Sequence, residues 1–124
     1  MPNSLHGKLL ALDVDGTLLD ANGRLRKRTK LAIQAASDSG SIVALATGRD
    51  WLAVEKLIEI LPSVQYAVCT NGIEVYDRKG HRLTAREIEL DIAQTAIHNI
   101  RQKLPGVAIG VAVSYTHLTL PTKA

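Results

Sequence analysis

The sequence predicts an open parallel α/β sheet with helices on both faces. Three observations carry that expectation. Residues 9–12, 42–46 and 66–69 are short apolar runs without alternation, which read as strands buried on both faces. Segments of helical spacing separate them, joined by short links, the pattern of right-handed crossovers. Each run also breaks, at the same end, into small polar residues followed by glycine. The length of 124 residues suits one domain or part of a larger one. With 46% hydrophobic and 22% charged residues the chain is ordinary globular material, which excludes disorder. It has no Phe, and its aromatics are Trp51, Tyr66, Tyr76 and Tyr115, so Leu, Ile, Val and Ala must build the core.

The elements follow in order. Residues 9–12 stop at Asp13-Val14-Asp15-Gly16-Thr17, and Asn22-Gly23 marks a turn. Between Arg26 and Ser39 the chain is rich in Lys, Arg, Ala, Leu and Gln. Ala32, Ala35, Ala36 and Ser39 fall on one helical face, and Gly40 suits a left-handed stop. The second strand breaks at Thr47-Gly48-Arg49. Asp50 caps a helix whose Trp51, Val54, Leu57, Ile58 and Leu61 recur at helical spacing, so Trp51 reads as core, and Pro62 ends the helix. The third strand breaks at Thr70-Asn71-Gly72. Residues 73–76 and 81–83 flank Asp77-Arg78-Lys79-Gly80, a hairpin with Gly at its left-handed position. Leu90, Ala93, Ala96, Ile97, Ile100 and Leu104 mark a third helix ending at Pro105-Gly106, and residues 107–113 a further strand. No internal repeat or low-complexity segment interrupts this order.

Several classes are excluded. No apolar stretch approaches the ~20 residues of a membrane span, and the first eight residues lack the charged-then-apolar order of a signal peptide. Cys69 stands alone, which rules out an internal disulfide and points to a reducing cytoplasm. Lys and Arg number 15 against 12 Asp and Glu, a net of +3. Arg24, Arg26, Lys27, Arg28 and Lys30 lie within one acid-free segment, and without them the chain is slightly acidic. This cluster reads first as the solvated start of a helix. A nucleic-acid patch lacks an interleaved aromatic for base stacking, so no nucleic-acid partner is expected. Steering of phosphate is a third reading. Nothing in the sequence sets the oligomeric state.

In open parallel sheets ligands bind beyond the carboxyl ends of the strands. Three polar breaks at one edge, Asp13/Asp15/Thr17, Thr47/Arg49 and Thr70/Asn71, therefore point to a single site. Two carboxylates at i and i+2 need a cation or a proton. A hard divalent cation such as Mg²⁺ takes oxygen ligands: Asp13 offers a carboxylate, and Asp15 a backbone carbonyl that leaves its side chain free for proton work. The scattered His6, His81, His98 and His117 have no transition-metal spacing. There is no phosphate-cradling Gly-Lys-Ser/Thr loop, no dinucleotide glycine fingerprint, and no Ser or Cys beside a base. The chemistry that fits is phosphoryl transfer through an aspartyl-phosphate, with Asp13 as nucleophile and Asp15 as general acid and base. Thr47 and neighbouring backbone amides such as that of Gly48 would hold phosphoryl oxygens. Thr47 reads equally as a helix-capping hydroxyl, and Arg49 equally as a substrate contact or a solvated side chain. Asn71 reads as turn geometry before it reads as a ligand contact.

At these residues the sequence resembles the haloacid dehalogenase-like (HAD) phosphatases, more narrowly the Cof-type (HAD-IIB) sugar-phosphatase branch. The likeness runs through residues 10–19, Leu-Ala-Leu-Asp-Val-Asp-Gly-Thr-Leu-Leu, residues 45–49, Leu-Ala-Thr-Gly-Arg, and residues 69–76, Cys-Thr-Asn-Gly-Ile-Glu-Val-Tyr. It implies a Rossmann-like core over residues 1–84 and the start of an α/β cap over 85–113. It implies Asp13 as nucleophile, Asp15 as acid/base, Thr47 as phosphate ligand, and a Mg²⁺-dependent phosphomonoesterase acting on small phosphorylated metabolites such as sugar phosphates. A phosphomutase using the same intermediate, or a non-catalytic fragment binding phosphate or metal weakly, are the alternatives. The family's later Lys and Asp motifs have no counterpart, since no Asp or Glu follows Asp91. Residues 114–124 depart from the family pattern and resemble the peptide encoded by sequencing-adaptor DNA, so they are expected to be a non-native tail. The chain is thus expected to be incomplete and inactive by itself. The resemblance also implies a strand order with the first strand central, which would leave one of its edges bare here.

Overall fold

The computed structural model describes residues 6–113 and 116–119. The chain divides into two compact units, Met1–Arg86 and Glu87–Ala124. In the first unit β1 (Leu9–Asp13), β2 (Ile42–Ala46) and β3 (Val64–Cys69) are parallel neighbours. The strands β4 (Glu74–Asp77) and β5 (Arg82–Ala85) extend the same sheet antiparallel, in the order β1-β2-β3-β4-β5. Helices α1 (Lys27–Asp38) and α2 (Trp51–Glu59) make the two crossovers. The result is a mixed, parallel-dominated α/β sheet, the class the sequence predicts. Register aligns the strand ends: Asp13 lies opposite Ala46, and Ala46 opposite Val68. The far end of α1 returns to the opposite edge, where Gly7 N donates to Gly40 O at 3.1 Å and Ile42 N to Lys8 O at 2.8 Å.

Both crossovers advance in the same direction across the sheet, so right-handed connections place α1 and α2 on one face. There Leu45, Val43, Val54 and Ile58 form the core, with Leu10 and Leu12 packed against it. The other face exposes Leu9, Ile42 and Tyr66. Helix cover of that second face is therefore not supplied by α1 or α2.

Two local expectations are corrected. Residues 9–12 are not buried on both faces: β1 sits at the sheet edge and Leu9 is 66% exposed, because among the described residues only β2 pairs with it. The inward face of α1 centres on buried Ile33, while Ala32 and Ala35 are exposed. An alanine-rich helix carries little periodic signal, and one Ile outweighs several Ala in buried area. Other expectations hold. Gly40 stops α1 with φ +91°, Asp50 Oδ1 accepts from Ala53 N at 2.9 Å to cap α2, and Trp51 is core, stacked on Tyr76 with ring centroids 5.0 Å apart.

The β4–β5 hairpin is strapped to the end of α2 by Arg78. Its guanidinium donates to the carbonyls of Ile58 (3.3 Å), Leu61 (3.3 Å), Pro62 (3.2 Å) and Val64. These carbonyls lie in the last turn of α2 and in the segment that leads from it into β3, where the regular ladder of backbone donors ends. Arg78→Met keeps the aliphatic stem and removes the donors, so it is expected to lower stability by about 2 kcal/mol. Urea unfolding followed by Trp51 fluorescence measures this, and an unchanged midpoint would refute the strap.

The second unit consists of α3 (Leu90–Lys103) and a hairpin of β6 (Gly110–Val113) with β7 (Thr116–Thr119). The helix forms where its apolar spacing predicts, yet none of its residues is buried, and Leu90 and Ile92 are exposed. Of the tail expected over 114–124, residues 114, 115 and 120–124 lie outside the described residues. No helix among the described residues is long and apolar enough to cross a membrane.

Candidate active site

The chain leaves β1 at Asp13 and makes one wide turn over Val14–Leu18, closed by Leu19 N donating to Val14 O at 2.9 Å. Buried Val14 and Leu18 pin this turn to the core. Gly16 supplies the left-handed residue it requires, with φ +74°, which a side chain would strain. The apolar anchors turned inward leave Asp13, Asp15 and Thr17 outward and exposed. Thr17 Oγ1 donates to Asp13 Oδ2 at 3.2 Å.

The next strand end brings Thr47 and Arg49 alongside. Thr47 is buried, and its amide donates to Val68 O at 2.9 Å. Its hydroxyl accepts from Arg49 N at 3.0 Å. The Arg49 side chain grips Asp15 with two hydrogen bonds, Nε to Oδ2 at 2.9 Å and Nη2 to Oδ1 at 2.5 Å, and Nη1 reaches Ala53 O at 3.4 Å. Those bonds hold the Asp15 carboxyl below the usual carboxylate range and raise Arg49 in turn. The third strand end joins through Thr70 N to Arg49 O at 2.9 Å and Asn71 N to Thr47 O at 3.0 Å. Asn71 has φ +55° and sits in a tight turn, and a side chain at Gly48 would come within 2.9 Å of its Oδ1. A larger residue at Gly48 would therefore displace the Asn71 amide from this position.

The structure therefore brings Asp13, Asp15, Thr47, Gly48, Arg49 and Asn71 to one strand-end surface. Two features lay beyond the sequence reading. Arg49, its side chain still 36% exposed, engages Asp15, a pairing across 34 residues that only the β1–β2 register reveals. Thr17 is the partner of Asp13, and its position four residues on, in the same polar break, was the available signal. Cys69 is buried at the end of β3, and burial first, then the Glu74 and Asp50 carboxylates, pushes its thiol up to about 11, away from the thiolate form a nucleophile needs.

As metal donors the site offers the Asp13 carboxylate and the main-chain carbonyl of Asp15, since the Asp15 carboxylate is taken by Arg49. Among the described residues no group of three or more His, Cys, Asp or Glu is placed to hold a metal. These two hard oxygens fit a cation that keeps much of its water shell, as Mg²⁺ does, and do not fit a zinc-type centre.

Three carboxyls share a depressed affinity for protons: Asp15 through Arg49, Asp20 through the amide of Arg24, and Asp77 through the amide of His81. Each binds its proton more weakly in the folded chain than in the unfolded one. Their stabilisation is therefore complete above the ordinary carboxylate range and is lost as pH falls through the depressed folded values. The urea midpoint is expected to fall between neutral pH and about pH 3. A midpoint that held constant would contradict these pairings.

The profile of the haloacid dehalogenase-like hydrolases matches residues 10–117. The chain is 33% identical over 91 residues to the HMP-PP phosphatase of Serratia proteamaculans, covering 73% of this chain and 33% of that relative. A phosphatase of the superfamily from Bacteroides thetaiotaomicron, BT1666, superposes with TM-score 0.80 at 24% identity, over 94% of this chain and 42% of that one. The subclass IIB sugar phosphatase BT4131 superposes with TM-score 0.71 at 21% identity, over 89% and 42%. The chain thus spans about a third of the length of the curated relatives it matches. The two-carboxylate turn closing β1 and the aligned Thr47, Arg49 and Asn71 lie inside the matched region, and the chain belongs to the haloacid dehalogenase-like hydrolase family, with the fold of its subclass IIB members.

Proposed function

We propose that the full-length protein carrying this sequence is a phosphomonoesterase that works through a phosphorylated Asp13. One observation carries the reading: two carboxylates at the end of one parallel strand stand beside a hydroxyl at the end of the next, with Arg49 bonded to both Asp15 and Thr47. Similarity to a phosphatase of a small phosphorylated metabolite supports it.

Asp13 Oδ1 attacks phosphorus while Thr17 fixes Oδ2, and the ester P–O bond breaks. The leaving alkoxide takes its proton from Asp15. A water then gives a proton to Asp15 and attacks the same phosphorus, releasing inorganic phosphate and restoring Asp13. Thr47 spends an acceptor lone pair on Arg49 N, which leaves its single hydrogen to donate to a phosphoryl oxygen. Bound Mg²⁺, held by the Asp13 carboxylate and the Asp15 carbonyl, would offset the repulsion between carboxylate and phosphate. Arg49 keeps Asp15 ionised in the resting site; an incoming phosphate monoanion that draws the guanidinium away lets Asp15 take up the phosphate's proton, which it then passes to the leaving alkoxide. Gly48 and Asn71 complete the phosphate-facing surface.

In this reading residues 1–84 are the nucleophile-bearing part of the core, 85–113 open a cap, and 114–124 are a non-native tail. Substrates are small phosphorylated metabolites, and the setting is cytoplasmic, consistent with a lone buried thiol. The 124 residues alone are inactive, because no later Lys or Asp motif completes the site. The test is phosphate release from an aryl phosphate with Mg²⁺, with and without chelator. The full-length protein is expected to turn over and to stop with chelator, and the isolated chain to release nothing. A full-length protein without turnover sinks the proposal, and a phosphoryl group that migrates within a sugar instead of being released makes it a mutase.

A further inference from the structure

We infer that the cationic segment 24–30 is an electrostatic collector for the strand-end site, drawing in anionic phosphoesters and favouring those with more than one phosphoryl group. This rests on the phosphatase reading above. From sequence alone the cluster reads first as a solvated helix start, and its placement in the fold is what favours steering.

The end of α1 lies at the edge opposite the site, as the Gly7–Gly40 and Ile42–Lys8 hydrogen bonds show. A helix of 12 residues spans about 18 Å, so its start, Lys27, comes up at the edge where Asp13 and Thr47 stand. Thr29 in its first turn and Thr17 line one groove of about 220 Å³, and Thr17 is bonded to Asp13. The loop before the helix is held in one shape by Asp20, whose Oδ1 accepts from the amides of Asn22 (2.9 Å) and Arg24 (3.0 Å). Its other oxygen meets Arg26 at 3.5 Å. Arg24, Lys27, Arg28 and Lys30 are all exposed around this frame.

The site has need of such a device. Asp13, Asp15 and Asp50 stand at the strand-end edge, and a phosphate dianion approaching them is repelled. Arg49 engages the Asp15 carboxylate, and bound Mg²⁺ would offset part of the remaining repulsion at close range. Four exposed cations, Arg24 just before α1 and Lys27, Arg28 and Lys30 in its first turn, add long-range attraction for an incoming anion, and each further phosphoryl charge increases the pull. Since the cations are exposed, salt must abolish the effect.

The test uses the full-length protein with phenyl phosphate and phenyl diphosphate as probes. Kinetics are taken at about 0.01 M and about 1 M salt, where charges are felt over ~30 Å and ~3 Å. In the wild type kcat/KM is expected to fall about tenfold across this range, more for the diphosphate. The variant R24Q/K27Q/R28Q/K30Q is expected to start about tenfold lower at low salt, to show little salt dependence, and to keep its kcat. The swap R24K/K27R/R28K/K30R should behave as wild type. Should the fourfold Gln variant not fold, R28E/K30E makes the same measurement with two exposed changes. Neutralised variants with wild-type kcat/KM and salt slope would overturn the collector and leave the phosphatase intact. A wild type inactive on both probes would overturn the phosphatase and the collector with it.

Discussion

Asp13→Asn in the full-length protein is expected to lower phosphate release by a factor on the order of 10⁴ or more. Asn matches Asp in shape, and its Oδ1 can still accept from Thr17 Oγ1, so the turn over Val14–Leu18 should survive. What is lost is the anionic oxygen that forms the bond to phosphorus, and a neutral amide oxygen is a far weaker nucleophile. The side chain at residue 13 is exposed, so folding stability should change little. Turnover near the wild-type rate in a folded Asp13→Asn protein would mean that another group, or water directly, attacks the ester.

Asp15→Asn is expected to cost about 10²–10⁴ in turnover, the range of a lost general acid and base. The loss should be uneven between the two half-reactions. With an aryl phosphate the leaving group needs little protonation, so attack by Asp13 proceeds, whereas hydrolysis of the phosphoenzyme still needs a base for water. Acid-quenched Asp15→Asn protein should therefore carry a phosphoryl group in amounts approaching one per chain, visible by intact mass. The variant also loses one charge-assisted partner of Arg49, which gripped both carboxylate oxygens. A drop in turnover with no phosphoenzyme and a raised KM would show instead that Asp15 serves to hold Arg49.

The parts legible in the sequence are those set by local chemistry. The parallel strands and their polar ends follow from unalternating apolar runs that stop at Asp13, Thr47 and Thr70. The stop of α1 follows from Gly40, the cap of α2 from Asp50, and the hairpin turn from Gly80, whose φ is +87°. The rest depends on partners far along the chain. Exposure of β1 is set by which strands pair with it, and its own apolar residues 9–12 say only that cover is required. The grip of Arg49 on Asp15 requires the register that puts Asp13 opposite Ala46. The strap from Arg78 requires the hairpin to fold back over the end of α2, and nothing in Asp77-Arg78-Lys79-Gly80 marks that arginine from an ordinary turn residue. In α3 the helical spacing predicted the helix correctly, but an apolar stripe does not state where it is buried.

The mechanism turns on where the phosphoryl group rests between the two steps. The direct measurement is to quench the full-length protein during turnover of an aryl phosphate, reduce any acyl phosphate with borohydride, and map the peptides by mass spectrometry. A side chain reduced to the alcohol at residue 13, absent without substrate, is the predicted result. Turnover with residue 13 unmodified, or with the modification at any other residue, would contradict it.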